Sequence, residues 1–220
     1  MGNRAVITTK ENFENNGVGV YLHWNGGIDS VEAFLKYCEL KGYRTPSSDC
    51  YGWAYLVNTI TNYFGDGMSV GIDTIDHLDI DNWDNGTYII DGWTIVDRKF
   101  FDGKEQRNYN LTDMLLDINE RQPKHIQLPE EFFTADCIAT KELNIGDRFF
   151  YRDELRGIIS IETVIGIGTD RWVNGHNVLG VPYMNRYGLE DPESNPNNYI
   201  FSEKVYVPKI GGDSCAESSN

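Results

Sequence analysis

Cys50 is the residue whose type and position best suit covalent chemistry. It stands in SSDCYGWAYLV, directly after Asp49, where an apolar helical pattern begins. The free backbone N–H groups and the dipole at a helix start favour a thiolate. The general base would have to come from the chain's histidines, which are His23, His77, His125 and His176. Nothing in the sequence says which of them approaches the thiol, so an unreactive buried cysteine explains the same pattern.

The run around Cys50 resembles the nucleophile motif of the NlpC/P60 papain-like hydrolases, in which Asp-Cys-small-Gly opens a helix. GDRFFY, at residues 146–151, is similar to the later Gly-Asp strand of that family. The resemblance implies Cys50 as nucleophile and His176, in GHNVLG, as its base. Tyr51 stands where the family has a small residue, and about 95 residues separate Cys50 from the Gly-Asp pair. A small Cys/His hydrolase is therefore the alternative function.

A second candidate is a strand end that runs into a glycine pair. His23 and Trp24 precede Gly26 and Gly27, and a helical pattern begins near Ser30. A helix start of this kind binds an anion through backbone N–H groups. A turn with a packed tryptophan accounts for the same residues, so they form a candidate ligand pocket only.

The third candidate is a run of aspartates. Between Arg44 and Arg98 there is no Lys or Arg, yet nine Asp occur. Asp suits turns, but turn chemistry does not explain the missing basic residues. Carboxylates on alternate strand residues lie about 6.6 Å apart, similar to successive phosphates, so one interpretation is that the segment imitates a nucleic acid. A solvated acidic face that only keeps the protein soluble explains the same charge. The predicted binding residues are Asp66, Asp73, Asp76, Asp79, Asp81, Asp84, Asp91 and Asp97.

Residues 79–86, DIDNWDNG, superficially resemble a calcium loop. Trp83 falls on a ligand position counted from Asp79, and Ile90 occupies the twelfth position, where an EF-hand has Glu. We therefore predict no metal and no cofactor.

Composition limits the partners. The net charge of −15 disfavours direct binding to nucleic acid or to an anionic membrane. Cys38, Cys50, Cys137 and Cys215 are spread singly, and no apolar run reaches membrane-spanning length. We expect a reduced cytoplasmic protein without disulfides, whose oligomeric state the sequence leaves open.

The helix and strand signals in the sequence, which define the elements that position these residues, predict an α+β protein. Residues 1–122 read as an acidic ββααβββ domain, an antiparallel sheet with two helices, followed by a short helix at residues 112–120. Asp29 and Ser30 offer the N-cap of the first helix. Asn85-Gly86 is a hairpin-type turn signal, and Gly92-Trp93 joins the last two strands.

The second half contains strand signals separated by Gly, Asn and Asp. Residues 122–131 contain two prolines and no periodicity, and we place the domain boundary there. Residues 132–210 read as a small β-barrel or meander. Residues 211–220 lack a run of apolar residues and are predicted to be a disordered tail.

The N-terminal segments MGNRAVIT, GVYLHWNGGIDSVEAFLKYCELKGYR, SVGIDT and DNGTYII resemble an uncharacterised family of small proteins from Firmicute phages, prophages and conjugative elements. The resemblance covers about the first 125 residues. It implies a genomic context and no chemistry. Accessory phage proteins of this size often inhibit host defence.

Together these observations predict a stoichiometric inhibitor, an anti-CRISPR or another anti-defence protein. Its acidic segment at residues 66–97 would imitate DNA and dock on a basic surface of a host protein. The runner-up is a small hydrolase or ligand-binding protein that uses Cys50 or the neighbourhood of His23.

Overall fold

The chain folds into two compact units, Met1–Leu128 and Pro129–Asn220. The computed structural model describes residues 3–47, 49–65, 69–105, 107–139, 142–144, 146–153, 158–167, 173–177, 199–200 and 204–208. The candidate Asp66, the thiol of Cys215 and the predicted tail at 211–220 lie outside these residues.

The first unit combines helices with one sheet. Its strands are β1 Ala5–Thr9, β2 Val18–Leu22, β3 Val70–Thr74, β4 Thr87–Asp91 and β5 Thr94–Lys99. Its helices are α1 Lys10–Glu14, α2 Ile28–Leu40, α3 Cys50–Phe64 and α4 Leu111–Glu120. Short 3-10 turns occupy Ile75–His77 and Lys124–Ile126. The α+β class is confirmed.

The sheet is mixed, so the prediction of an antiparallel sheet was wrong. Its order is β3-β2-β1-β4-β5. β1 runs parallel to β4, with Val6 opposite Thr87, whereas the other neighbours are antiparallel. Helices α2 and α3 lie in the chain between β2 and β3, and β4 then returns beside β1. All five residues of β1 are buried, as its central position requires.

Two local predictions also need correction. The ββααβββ order missed α1, a polar one-turn helix that starts where the Thr9 hydroxyl accepts a hydrogen bond from the Asn12 amide (3.3 Å). Asn85-Gly86 is not a hairpin turn, because β2 and β1 separate β3 from β4 in the sheet. The hairpin from β4 to β5 through Gly92 is confirmed.

Helix α3 follows its sequence signals. The Asp49 carboxylate caps the helix by accepting from the Tyr51 amide (2.9 Å), and Gly65 ends it with a left-handed φ of 80°. Gly52 fits tightly, since an added Cβ would lie 2.2 Å from the carbonyl carbon of Thr45. The start of α3 is therefore fixed against the loop before it.

Helix α2 begins earlier than predicted. Gly27 is its N-cap, and Asp29 and Ser30 lie buried inside its first turn. The Asp29 carboxylate accepts from the backbone amides of Asn108 and Tyr109 (2.8 Å to the latter). It ties the segment before α4 to α2, and this tertiary role displaces the predicted capping role.

The helices pack through buried aromatic and polar contacts. Phe34 of α2 meets Tyr63 of α3 with ring centroids 5.2 Å apart, and the Tyr37 hydroxyl donates to Asn119 Oδ1 of α4 (2.9 Å). Cys38 is fully buried beside Thr59, and burial raises the pKa of its thiol to about 12. This cysteine is a core residue.

The second unit contains a six-stranded sheet of order β10-β9-β8-β7-β11-β6, and every pair is antiparallel. The strands are β6 Asp136–Ala139, β7 Arg148–Asp153, β8 Ile158–Ile167, β9 Val173–Asn177, β10 Tyr199–Ile200 and β11 Lys204–Val207. Within the described ranges no pairing joins β10 to β6, and β7 to β10 follow one another as a meander. Leu143, Phe149 and Val164 form the core.

Among the helices that the structure describes, none has both the length and the apolar character that a transmembrane span requires.

Candidate functional site

The most unusual local structure is the loop before β4, residues 79–86, called here the Trp83 loop. The side chain of Asn82, with no exposed surface, holds it together. Its amide donates to the carbonyls of Asp79 (3.1 Å) and Gly86 (3.0 Å). Its carbonyl accepts from the backbone amides of Asp84 (3.2 Å), Asn85 (3.0 Å) and Gly86 (3.0 Å). One side chain thus replaces the backbone hydrogen bonds that a strand or helix would supply.

Arg4, the residue before β1, holds one side of the Trp83 loop. Its Nε lies 2.7 Å from Asp84 Oδ2 and its Nη1 lies 3.1 Å from Asp79 Oδ2. Its Nη2 donates to the backbone carbonyl oxygen of Asn82. The pKa of Arg4 is raised, with the hydrogen bond to Asp84 as the largest cause. Two of the predicted acidic binding residues are therefore paired with one cation 75 and 80 residues away in sequence, which offsets one of their two negative charges.

Arg98, on β5, clamps the other side. Its Nε donates to the Asn85 carbonyl (2.8 Å) and its Nη2 to Asn85 Oδ1 (3.0 Å). The guanidinium carbon lies 4.3 Å from the ring centroid of Tyr88 and 3.5 Å from that of Phe101. Gly86 lets the loop lie close to β5, because a Cβ added at this position would lie 2.2 Å from the Lys99 carbonyl oxygen.

Trp83 is the residue that this framework presents. Its side chain is 89% exposed, more than any other large hydrophobic residue in the described part of the chain. Its φ is +60°, in the left-handed region that a bulky residue rarely adopts. Folding alone would favour Gly or Asn here. An exposed indole on a strained, internally bonded loop makes Trp83 a candidate contact residue.

The remaining predicted acidic residues are spread over the unit. Asp97 lies on β5 with Lys99 Nζ 2.6 Å away, and Asp91 ends β4 beside the Ser47 hydroxyl. Asp73 lies on β3, the opposite edge of the sheet from Asp97, about 19 Å away across four strand spacings. Asp81 is exposed in the Trp83 loop. The acidic segment is continuous in sequence and does not form one uniform face in space.

Asp73 and Asp76 form a separate group with His77. The pKa of Asp73 is lowered, first by the Thr74 backbone amide and then by His77, whose Nδ1 lies 3.3 Å away. The pKa of Asp76 is lowered chiefly by the Thr74 hydroxyl at 2.6 Å. Both shifts come from hydrogen bonds of a turn. This confirms turn chemistry as one reason for the aspartates.

Cys50 lies at the opposite end of the sheet from the Trp83 loop. It lines an open groove of about 730 Å³ at the carboxyl ends of β1 and β4. The groove contains the carboxylates of Glu11, Glu14, Asp49 and Asp91 and the ring of Trp53, and no described histidine lines it. His176 lies on β9, and its side chain is outside the described part of the structure. The hydrolase alternative stays a prediction.

Replacing Cys50 by Ala tests that alternative. The side chain is exposed, so the free energy of unfolding should change by no more than about 0.5 kcal/mol. Its biological activity should also be unchanged if the protein works as a binder. Urea unfolding with an activity assay checks both, and an inactive but folded Cys50→Ala protein would favour the alternative that uses Cys50.

The predicted ligand pocket at the glycine pair is tightly built. The Gly26 amide donates to the Asn3 carbonyl (2.8 Å), and the Ser30 amide is bonded to the Asp29 carboxylate (2.8 Å). An added Cβ on Gly26 would lie 2.7 Å from the Asn3 carbonyl oxygen. An anion arriving here would meet the buried carboxylate of Asp29, which already occupies the helix start.

The aromatic residues of that candidate lie on the Trp83 side of the sheet. His23 and Trp24 follow β2, and their rings meet edge to face with centroids 5.0 Å apart. The Asn3 amide donates to the His23 carbonyl (3.3 Å), which brings this strand end beside the start of β1. Gly27, which follows them in the chain, is the N-cap of α2.

Sequence reasoning did not select Trp83, Asn82, Arg4 or Arg98 as site residues. The available signal was a tryptophan between Asn and Asp in a turn-rich run. The calcium-like pattern has a different cause, since Asp79 and Asp84 bind a guanidinium group. No group of three or more His, Cys, Asp or Glu within the described ranges could hold a metal ion.

Comparison with known proteins adds no relative: no family model, no curated protein and no solved structure matches the chain.

Proposed function

We propose that this protein is a stoichiometric inhibitor that binds another protein through the Trp83 loop. The observation that carries the proposal is the 89% exposure of Trp83 at a left-handed φ. Tryptophan is among the residues that contribute most to binding at protein interfaces. An exposed indole has no stabilising role in the isolated fold, and its backbone conformation costs free energy.

The rigidity of the loop favours tight binding. Asn82, Arg4 and Arg98 fix the backbone on both sides of Trp83 before any partner arrives. A preorganised loop loses little conformational entropy on association, so more of the contact energy appears as affinity. A loop built only to turn the chain would not need two arginine clamps.

Charge indicates the kind of partner. The net charge of −15, together with exposed Asp81 two residues before Trp83, attracts a basic protein surface and repels nucleic acid. An exposed indole and a carboxylate two residues away resemble a base and its phosphate, which extends the DNA-mimic hypothesis to a single-stranded segment. The target would then be a nucleic-acid-binding groove.

The biological setting of this proposal rests on the resemblance to proteins of Firmicute phages and mobile elements. On that basis the proposed site of action is the cytoplasm of the infected or host bacterium, and the proposed target is a defence protein, a CRISPR effector for example. The small hydrolase remains the second candidate, supported by the position of Cys50 at the start of α3.

Partner capture from a lysate of a Firmicute host tests the proposal. Wild-type protein should capture one partner, form a complex of fixed stoichiometry by native mass spectrometry, and release it as salt rises. Trp83→Ala should weaken the complex by about 30-fold or more, the loss typical of a central contact residue.

The matched control is Tyr51→Ala, which removes another exposed aromatic ring at the opposite end of the sheet. It should capture the partner as the wild type does. Equal capture by the Trp83→Ala protein would refute the proposal.

A further inference from the structure

The Trp83 loop already binds two guanidinium groups of its own chain. Arg4 is held by two carboxylates and a backbone carbonyl. Arg98 is held by the carbonyl and side-chain oxygens of Asn85 and lies over two aromatic rings. Carboxylates, carbonyls and aromatic faces are the groups that recognise arginine. The loop therefore supplies oxygen acceptors to a guanidinium group on two of its sides, and Tyr88 and Phe101, outside the loop, supply the aromatic faces.

The exposed residues Trp83 and Asp81 define what is called here the outer side of the loop. They offer the same kinds of group, an aromatic ring and a carboxylate, without a bound cation. Trp83 is almost fully exposed, and Asp81, two residues earlier in the loop, is exposed as well. In the part of the chain that the structure describes, no cation pairs with the Asp81 carboxylate, and no ring or guanidinium stacks on the indole. Trp83 and Asp81 thus offer an aromatic face and a carboxylate two residues apart.

We infer that the outer side of the Trp83 loop binds an arginine side chain of the partner. The guanidinium plane stacks on the indole of Trp83, and the Asp81 carboxylate accepts its N–H groups. This inference rests on the proposed function, because it names the chemical group through which the partner is recognised.

Arginine fits this side better than the other candidates. Trp is the best aromatic partner for a cation, and a guanidinium is weakly hydrated and planar, whereas the lysine ammonium is compact and strongly hydrated. A phosphate would meet a carboxylate and a net charge of −15. A second copy of the chain would bring the same negative charge, so self-association through this side is disfavoured.

The probes are two synthetic peptides of equal length and charge, one with arginines and the other with lysines, titrated calorimetrically at low salt. Wild-type protein should bind the arginine peptide about fivefold more tightly, the factor expected for a cation–π contact of average strength. Trp83→Ala should remove this preference, and Trp83→Phe should keep part of it. Asp81→Asn should weaken both peptides.

The matched control for charge is Asp113→Asn, which removes one exposed carboxylate on α4, outside the acidic segment. It should leave the arginine preference intact. Equal affinities of wild type for the two peptides, a preference that survives in Trp83→Ala, or no binding of either peptide would overturn the inference.

The outcome is separable from that of the proposed function. If Trp83→Ala loses the captured partner but the peptides show no arginine preference, the protein-binding function stands and the arginine inference fails. If partner capture is unaffected while the preference depends on Trp83, the loop binds arginine but is not the inhibitor's docking site.

Discussion

Replacing Asn82 by Ala is expected to lower the free energy of unfolding of the first unit by about 3–5 kcal/mol. The side chain is fully buried and makes five hydrogen bonds to loop backbone. Without it, two carbonyls and three amides lose a partner. The Gly86 carbonyl keeps the Val6 amide (3.0 Å) and the Asn85 amide keeps the Arg4 carbonyl (3.2 Å), so the loss falls on the other three groups. Each buried unsatisfied group costs about 1–3 kcal/mol, so partial relaxation still leaves a large loss.

Urea unfolding followed by circular dichroism measures this loss. Asn15→Ala is the matched control, because that asparagine is exposed and its side chain bonds only the Glu11 carbonyl (2.9 Å). It should cost no more than about 0.5 kcal/mol. A loss below about 1 kcal/mol for Asn82→Ala would mean that the loop is held mainly by the two arginines.

The sequence predicted the elements better than their arrangement. Helix α3 was predictable because its cap at Asp49 and its stop at Gly65 act within one turn of the chain. The parallel pairing of β1 with β4 was not, because strand order depends on how the crossover helices pack. The same limit explains the turn at Asn85, whose local signal is real although the chain does not reverse there into a neighbouring strand.

The candidate site shows the limit more sharply. An aspartate-rich run without basic residues suggested a uniform acidic surface. In the folded unit, Arg4 and Lys99 approach it from outside the run and pair with Asp84, Asp79 and Asp97. Sequence neighbours determine the hydrogen bonds that aspartates make in turns. The electrostatic field at the surface depends instead on residues that the sheet brings together from distant parts of the chain.

Trp83→Gly is expected to separate stability from binding. Glycine adopts a φ of +60° without the clash between Cβ and carbonyl that costs an L-residue about 1 kcal/mol. The exposed indole contributes little packing that could be lost. The unfolded state gains some entropy from Gly, which offsets part of the relief. The variant should therefore be as stable as wild type or more stable by up to about 1 kcal/mol, and it should lose the partner.

Comparing Trp83→Gly with Trp83→Ala isolates the cause. Alanine retains the Cβ and hence the strain, so we expect the Gly variant to be the more stable of the two while both bind equally poorly. Thermal and urea unfolding, together with partner capture, give the two readouts. A stability loss above about 1 kcal/mol in the Gly variant would show that the indole is needed for folding. If instead stability is kept while binding falls, Trp83 is not the residue that makes the fold most stable at this position. Its presence is then explained by the contact it makes with another protein.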